Sequence, residues 1–259
     1  MAIFTFTTDL GTSDYFVAAL KGRLLSALPS ANIVDVNNSV PKFDHLKAAF
    51  IVKNAYQFFP KNTVHIIGVN NYKNNINKVL IAHYKEHYFV CFDNGFFSLL
   101  NDENQEIKLY EFEEKKVFTN NLSPFESLVD AAIAIGLNKN LPALYSMVKE
   151  YKKQFVFKPI LNEKSIQANV IYIDSFENVI TNVTMEIFAN YTHYKKLAIK
   201  VHPLRHEIKS LSKSYDEVEA GNLLAIFNYT GYLEIAMNQA NAAKLLGLKV
   251  GDKIFIEFN

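Results

Sequence analysis

The chain has 259 residues, of which 49% are hydrophobic and 14% aromatic, so it can bury a sizeable core. Its 27 basic residues nearly balance 26 acidic ones, so its charge gives no reason to expect a nucleic acid or an anionic membrane as partner. The single cysteine, Cys91, excludes an internal disulfide and suits a reducing compartment. Without a signal-like N-terminus or a run of about 18 apolar residues, we expect a cytoplasmic protein that binds a small molecule.

Residues 1–153 alternate strand and helix signals, which predicts an α/β domain with a central, mostly parallel sheet. The β-rich stretches are 2–9, 31–38, 62–69, 78–84 and 88–93. Apolar residues at helical spacing predict helices over 14–28, 43–58, 124–135 and 142–152. Cys91 lies inside an apolar run and is expected to be a buried thiol.

The pattern changes after a predicted linker at 154–164. Residues 165–259 contain short strand signals with little helix between them, which predicts a smaller, β-rich and barrel-like domain. The strand signals cover 165–174, 178–183, 195–201, 222–229, 231–237 and 252–258, and a short helix is expected at 241–246.

Several well-known site motifs are absent from the sequence. There is no GxxxxGK[ST] phosphate loop, no GxGxxG after the first strand, no CxxC pair and no HExxH helix. His83 and His87 are four residues apart but lie in strand-like sequence, where we expect ordinary strand histidines rather than a metal pair. The sequence therefore predicts no metal site.

Polar residues concentrate where the predicted strands end. In an open α/β sheet, ligands bind at the carboxyl ends of the strands, so four loops are expected to line one crevice: 9–14, 35–39, 70–75 and 93–95. Asp9 and Asp14 bracket Gly11 at a strand-to-helix turn and could face a ligand hydroxyl and an ammonium. Helix capping by Ser13 or Asp14 together with ordinary turn chemistry is the alternative.

Six stretches along the chain carry a family resemblance. They are TTDLGTSDYFVAALKG, IVDVNNSVP, FFPKNTVHI, FDNGFFSLL, YIDSFENVITNV and GYLEIAMNQANAAKLLGLKVGDKI. In this order they resemble S-adenosylmethionine hydroxide adenosyltransferases and their halogenase relatives, and the resemblance spans nearly the whole chain.

The resemblance implies a two-domain subunit that usually assembles as a trimer. It implies that S-adenosylmethionine, as substrate or ligand and without a further cofactor, binds between the first domain of one subunit and the second domain of its neighbour. It also implies attack of water, hydroxide or halide on the ribose C5′ carbon, with release of methionine and adenosine or a 5′-halo analogue.

By the same resemblance, particular residues acquire roles. Asp9 is expected to hold the ribose hydroxyls, and Ser13 and Asp14 the methionine end. The adenine and the amino acid group are expected at Asp174, Phe176 and Asn178. Further adenine contacts are expected in the region of Tyr232 and Glu234. Each of these residues also has a simpler interpretation as core, turn or strand-end structure. Glu177 is a departure, because the family has glycine there.

The loop at 70–78 departs further from the family. The hydrolases carry VDPGVG followed shortly by arginine, where this chain has VNNYKNNINK, so the aspartate position falls on Asn70 and the arginine position on Asn77 or beside Lys78. The family's histidine, in a TFHGRD-like stretch, corresponds to a segment without histidine, TNNLSPFES. Because an amide cannot accept a proton from water, we predict slow hydrolysis.

Three interpretations stay open from the sequence. The first is an enzyme that splits S-adenosylmethionine slowly or recruits Lys78 or Tyr72. The second is a halide-using relative, to which Tyr72 is a hint. The third is a catalytically silent binding protein for S-adenosylmethionine, adenosine or another nucleoside.

Overall fold

The computed structural model describes residues 2–69, 78–101, 107–112, 122–137, 140–141, 145–201 and 206–259. Two compact units divide the chain, residues 1–155 and residues 156–259. Each unit has its own sheet and its own buried core. Asn70, Tyr72 and Asn77 lie outside the described residues.

Within the described residues, a seven-stranded sheet with the order β2-β1-β3-β5-β4-β6-β7 is the framework of the first unit. Its strands are β1 (Ile3–Thr8), β2 (Asn32–Asn37), β3 (Val64–Gly68), β4 (Val79–Tyr84), β5 (His87–Phe92), β6 (Leu109–Phe112) and β7 (Ser146–Val148). β1, β2, β3 and β5 pair in parallel, whereas β4, β6 and β7 add antiparallel pairs. The sheet is therefore mixed, and a mostly parallel sheet is not confirmed.

Helices cover both faces of this sheet, so the α/β class of the first unit is confirmed. They are α1 (Phe16–Ala27), α2 (His45–Ala55), α3 (Phe96–Leu100) and α4 (Ser123–Leu137). Side chains alternate along β4: Val79 and Ile81 pack in the core under α1 and α4, while Leu80 and Ala82 pack in the core under α2 and α3. Cys91 is fully buried in the second of these layers, as expected.

The helix predicted over residues 142–152 is wrong from Ser146 onwards, because Ser146–Val148 forms β7 and pairs antiparallel with β6. Residues 142–144 of this prediction lie outside the described residues. Met147 is opposite Tyr110 and is 59% exposed. A short exposed edge strand has no apolar alternation to announce it, so the chance helical spacing was misleading.

His83 and His87 both lie in strands, as expected, and His87 is buried. Lys85 and Glu86 both have positive φ, 45° and 65°, and make a two-residue hairpin turn between β4 and β5. His83 pairs with Tyr88, and His87 pairs with Tyr84, so the two histidines lie on adjacent strands and opposite faces. His87 instead lies 3.1 Å, Nδ1 to Nε2, from the buried His65 of β3.

In the part of the second unit that the structure describes, eight strands form one antiparallel sheet. They are β8 (Ile160–Asn162), β9 (Ser165–Ile173), β10 (Val179–Thr184), β11 (Leu197–Val201), β12 (His206–Ile208), β13 (Leu223–Phe227), β14 (Tyr232–Met237) and β15 (Lys253–Phe258), with helices α5 (Met185–Ala189) and α6 (Ala242–Leu246). β8 lies inside the segment expected as linker and pairs with β9.

This second sheet curls almost into a barrel. Its order is β12-β11-β15-β9-β10-β14-β13, and the ends approach through a bridge between Leu211 and Ala225 that includes a 2.8 Å bond from Ser212 N–H to the Ala225 carbonyl. Its interior is filled by side chains such as Ile166, Val179 and Ile254. No helix among the described residues is long and apolar enough to cross a membrane.

Candidate functional site

The connections of β1 create a crevice in the first unit. The chain leaves β1 through α1 to β2 on one side, then passes through α2 to β3 on the other side of β1. The two helices lie on opposite faces of the sheet. At such a switch in direction the loops after neighbouring strands diverge, and α/β proteins bind ligands there. Asp9 directly follows β1 at this point, and its N–H donates to Gly68 O of β3 at 3.3 Å.

Asp9 is fixed by a turn from a distant part of the chain. Its side chain is buried, and Oδ2 accepts a 2.8 Å hydrogen bond from the Phe43 N–H. Lys42 Nζ donates to the Asp9 main-chain oxygen at 2.5 Å. Phe43 has φ 65°, a left-handed conformation that costs about 1–2 kcal/mol for a residue with a Cβ. The strained turn directs its amide at the carboxylate.

Further hydrogen bonds tie the strand-end loops together. Asn38 accepts from Thr8 Oγ1 at 3.0 Å and donates from Nδ2 to Asp35 Oδ1 at 2.7 Å. Gly11, with φ 82°, donates its N–H to the Asn38 carbonyl at 2.7 Å. The loops at 9–14 and 35–39 are therefore brought together as the sequence predicted.

The loop at 93–95 is bonded to both flanks of the segment 70–77. Asn94 Nδ2 donates to Val69 O at 2.8 Å, and Asp93 N–H donates to Lys78 O at 2.9 Å. The side chain of Asn94 also accepts the Phe96 N–H at 3.0 Å, at the start of α3. The ends of β3, β4 and β5 are therefore held together around that segment.

Ser13 and Asp14 lie exposed in the loop between β1 and α1. The N-cap residue of α1 is Tyr15, and no side chain donates or accepts a capping bond there. The interpretation of Ser13 or Asp14 as the cap of α1 is therefore wrong. Both side chains face solvent in the same loop that begins at Asp9.

Of the loop at 70–78, the structure describes Lys78. It precedes β4, and its Nζ lies 2.7 Å from Glu111 Oε2 of β6. The ammonium is thus held by a carboxylate, and an ammonium has no lone pair to accept a proton from water. Lys78 is therefore poorly suited to act as a base. Across the described ranges, no group of three or more His, Cys, Asp or Glu residues is arranged to hold a metal ion.

Three predicted residues of the second unit form one tight turn between β9 and β10. Asp174 Oδ1 accepts the N–H groups of Phe176 at 2.9 Å and Asn178 at 2.8 Å, and Oδ2 accepts Asn178 Nδ2 at 3.2 Å. Asn178 is buried, whereas the ring of Phe176 is 75% exposed. The turn holds the aromatic ring out to solvent, so the alternative interpretation of Phe176 as a core residue is wrong.

Glu177 occupies the turn position that requires left-handed backbone. Its φ is 65°, which explains why glycine suits this position. Its carbonyl accepts the Ala243 N–H of α6 at 2.9 Å, and its carboxylate lies 3.6 Å from Lys244 Nζ. The backbone thus keeps the conformation typical of glycine, and the acidic side chain is directed towards α6.

Tyr232 and Glu234 lie two residues apart on β14, so they share one face. Glu234 is buried, and its oxygens accept hydrogen bonds from Tyr215 OH at 2.8 Å and Asn228 Nδ2 at 3.1 Å. Burial raises the pKa of the Glu234 carboxyl, the two hydrogen bonds oppose this, and nearby Asp174 adds to the increase. Burial and the bond to Glu234 raise the pKa of Tyr215. Burial also raises the pKa of Tyr232.

Sequence reasoning missed Lys42 and Phe43 beside Asp9, and Tyr215 and Asn228 beside Glu234. Nothing in the sequence PKFD predicts the left-handed backbone conformation of Phe43. Asn228 is part of the stretch NYTG before β14, where asparagine and glycine do signal a turn. That turn bonds back to Glu234, six residues later.

This α/β unit with a carboxylate at its switch point, followed by a β-barrel-like unit, matches one family. The model of the SAM hydroxide adenosyltransferase N-terminal domain matches residues 4–138, and that of the C-terminal domain matches residues 168–255. The chain belongs to the SAM hydroxide adenosyltransferase family.

Individual relatives agree with this assignment. The (R)-S-adenosyl-L-methionine hydrolase of Methanocaldococcus jannaschii is 31% identical, covering 98% of this chain and 95% of that protein. A fluorinase from Actinoplanes is 44% identical over 62 residues, which cover 24% of this chain and 21% of the fluorinase. The crystal structure of a conserved protein from Thermotoga maritima superimposes with a TM-score of 0.84 at 27% identity, covering 99% of both chains.

Proposed function

We propose that the protein binds S-adenosylmethionine or adenosine, with the ribose hydroxyls on Asp9. The observation that carries the proposal is the buried Asp9 carboxylate at the switch point of the sheet, oriented by the Phe43 N–H at 2.8 Å. Membership of the family and the hydrolase named among its relatives support the choice of ligand.

The same proposal assigns the other predicted residues. Ser13 and Asp14 face the methionine end, while Asp174, Phe176 and Asn178 serve the adenine and amino acid group. Tyr232 serves the adenine region. Glu234 contributes through its bonds to Tyr215 and Asn228, because its own oxygens are buried against them.

Cleavage at the ribose C5′ carbon is the reaction we propose, at a low rate. The sulfonium leaves as a neutral thioether and needs no acid, so the site has to place and desolvate the nucleophile. By the family resemblance the aspartate position falls on Asn70 and the arginine position on Asn77 or beside Lys78, and neither amide can take a proton. A positioned general base is worth about 10² to 10⁴ in rate, so hydrolysis without one is slow.

Calorimetry with adenosine and S-adenosylmethionine tests binding, and mass spectrometry of the products tests the reaction. We expect binding of at least one ligand, with adenosine and methionine appearing over hours. Intact ligand after that time supports a catalytically silent binding protein. Absence of binding at millimolar concentration refutes the proposal, whereas rapid hydrolysis refutes the low rate.

Restoring the missing groups tests the reason for the low rate. Asn70→Asp by itself is expected to recover little, because an isolated carboxylate lacks partners that position water and stabilise hydroxide. Asn70→Asp combined with Asn77→Arg and a histidine placed within 119–126 is expected to exceed the sum of the single changes. Additive gains would contradict this account.

A halide-using reaction is the second candidate, and the fluorinase match over 62 residues favours it. Product analysis with and without chloride or fluoride distinguishes it, since a 5′-halo nucleoside forms only when halide is the nucleophile. Adenosine as the product in both conditions excludes this candidate.

We also propose a homotrimer, because the family resemblance covers both domains. Light scattering checks the assembly. A monomer across micromolar concentrations would contradict the trimer and would also remove the cleft between subunits in which Asp9 and Phe176 are expected to contact one ligand.

A further inference from the structure

The loop after β5, with the sequence DNG, holds two other positions of the chain by hydrogen bonds. Asn94 Nδ2 donates to the Val69 carbonyl at 2.8 Å, and the Asp93 N–H donates to the Lys78 carbonyl at 2.9 Å. Val69 and Lys78 are the described residues on either side of the segment 70–77. Both flanks of that segment are therefore bonded to neighbouring residues of one loop.

The side-chain amide of Asn94 is oriented by its two partners. Its oxygen accepts the Phe96 N–H at 3.0 Å, where α3 begins. The NH2 group is then left to face Val69, whose carbonyl oxygen can only accept a hydrogen bond. Each half of the amide thus has a partner that the other half could not serve, so the bond to Val69 requires an amide at this position.

The same loop is held from outside by the chain just before the end of the first unit. The Lys152 N–H donates to Asp93 Oδ1 at 2.8 Å. The Gln154 N–H donates to Ser98 Oγ at 2.8 Å. Gly95 has φ 99°, and a Cβ added to it would lie 3.1 Å from the Cβ of Gln154. Glycine therefore suits both the left-handed backbone and the close approach of Gln154.

We propose that Asn94 is a positioning residue for the proposed cleavage at ribose C5′ and acts through its bond to Val69. The proposal rests on the proposed function, because Asn70, which falls on the family's aspartate position, follows Val69 directly. A nucleophile has to lie in line with the C5′–S bond, and a misplacement of about 1 Å can cost about a hundredfold in rate. Asn94 fixes the residue from which this part of the chain starts and does not have to touch the ligand.

Two variants separate the two bonds of the Asn94 amide. Asn94→Asp keeps an oxygen for the Phe96 N–H but places a second oxygen against the Val69 carbonyl, so it loses only the bond to Val69. Asn94→Ala loses both bonds. On the full chain, mass spectrometry gives the cleavage rate at saturating S-adenosylmethionine, and calorimetry gives the dissociation constant. Both variants are expected to lower the rate about tenfold to a hundredfold and to leave the dissociation constant nearly unchanged.

Hydrogen–deuterium exchange reports on the same bonds without a ligand. Peptides that contain Val69 or Lys78 are expected to exchange faster in both variants than in the unmodified protein, because a hydrogen bond that holds these flanks is missing. Peptides from α3 are expected to exchange faster in Asn94→Ala only, because Asn94→Asp keeps the acceptor for the Phe96 N–H.

The matched control is Asn54→Ala. Asn54 Nδ2 also donates to a main-chain carbonyl at 2.8 Å, but the acceptor is Phe50 of its own helix, α2. The variant removes the same kind of bond from the same unit. It is expected to leave the cleavage rate, the dissociation constant and the exchange at Val69 and Lys78 unchanged.

The outcomes separate this proposal from the proposed function. If Asn94→Asp matches the unmodified protein in rate and exchange, Asn94 serves only the start of α3 and the proposal is overturned. A loss of affinity as large as the loss of rate also overturns it, because Asn94 would then act on binding. If the unmodified protein itself does not cleave S-adenosylmethionine, the proposed cleavage fails and the role of Asn94 in it fails as well.

Discussion

The two units hold their carboxylates by different means. Asp174 in the second unit takes its hydrogen bonds from residues two and four positions later in the chain. Asp9 in the first unit is held by Lys42 and Phe43, 33 and 34 positions away. A local turn forms its own site, whereas the Asp9 arrangement exists only once β1, β2 and the start of α2 have come together.

The core of the first unit also contains hydrogen bonds between residues that are far apart in the sequence. Thr5 Oγ1 lies 2.8 Å from His65 Nδ1, and His65 Nε2 lies 3.1 Å from His87 Nδ1, so a polar row crosses β1, β3 and β5. Tyr56, Phe59 and Phe89 surround the two imidazoles. Such a row is sensitive to any added proton, because two protonated rings would face each other inside the core.

The largest expected effect is therefore on acid stability. Burial, with a smaller contribution from His87, lowers the pKa of His65 to about 3. The unfolded chain binds this proton from about pH 6.5 downwards, so stability is lost as the pH falls from about 6.5 to 3, at up to about 1.4 kcal/mol per pH unit. His65→Gln is expected to flatten this dependence of the unfolding free energy, measured by denaturant titration.

The control for that experiment is His193→Gln, since His193 is exposed in the second unit. It is expected to follow the unmodified protein at every pH. If His65→Gln follows it as well, the buried row does not set the acid sensitivity of the first unit.

The second-largest effect is expected on the stability of the second unit when the Asp174 carboxylate is removed. Asp174→Ala leaves two backbone N–H groups and the Asn178 amide without their acceptor and is expected to destabilise the second unit by about 1–3 kcal/mol. Asp174→Asn keeps an oxygen acceptor and is expected to cost less. Thermal unfolding measures both, and an equal loss in the two variants would show that charge rather than the turn bonds matters.

Asp9→Ala is expected to act on binding. An unpaired ribose hydroxyl contact costs about 1–3 kcal/mol, or about fivefold to 150-fold in affinity for adenosine. Asp14→Ala, in the same loop but exposed, is expected to leave adenosine binding nearly unchanged. Calorimetry on both variants checks this, and equal losses would contradict the special position of Asp9 at the end of β1.

The smallest effect is expected at Glu177. Glu177→Gly removes the backbone strain of a left-handed glutamate. The same change raises the conformational entropy of the unfolded chain and removes the contact with Lys244. Because these effects oppose each other, the net change in unfolding free energy is expected within about 1 kcal/mol. Glu177→Val keeps a Cβ and adds branching, and is expected to destabilise clearly. Thermal unfolding of both variants decides whether backbone strain governs this turn.

The strands were readable from the sequence where apolar residues alternate or run together, as in β1, β5 and β14. β7 was not, because three exposed residues paired at the end of a sheet carry no pattern of their own. Asp9, Asp174 and Asn178 were predicted as site residues from the family resemblance. Lys42 and Phe43 were not, because their role comes from a fold that brings residues more than thirty positions apart into contact.

The position of β15 between two earlier strands affects how the second sheet forms during synthesis. Lys253–Phe258 pairs with β9 on one side and β11 on the other, although both strands precede it. A growing chain therefore synthesises β9 and β11 before the strand that separates them, and each presents open backbone groups meanwhile. Such groups pair readily with other chains. Nascent chains that stall before Lys253 are accordingly expected to depend on chaperones, because β15 has to be inserted between two strands that were synthesised earlier.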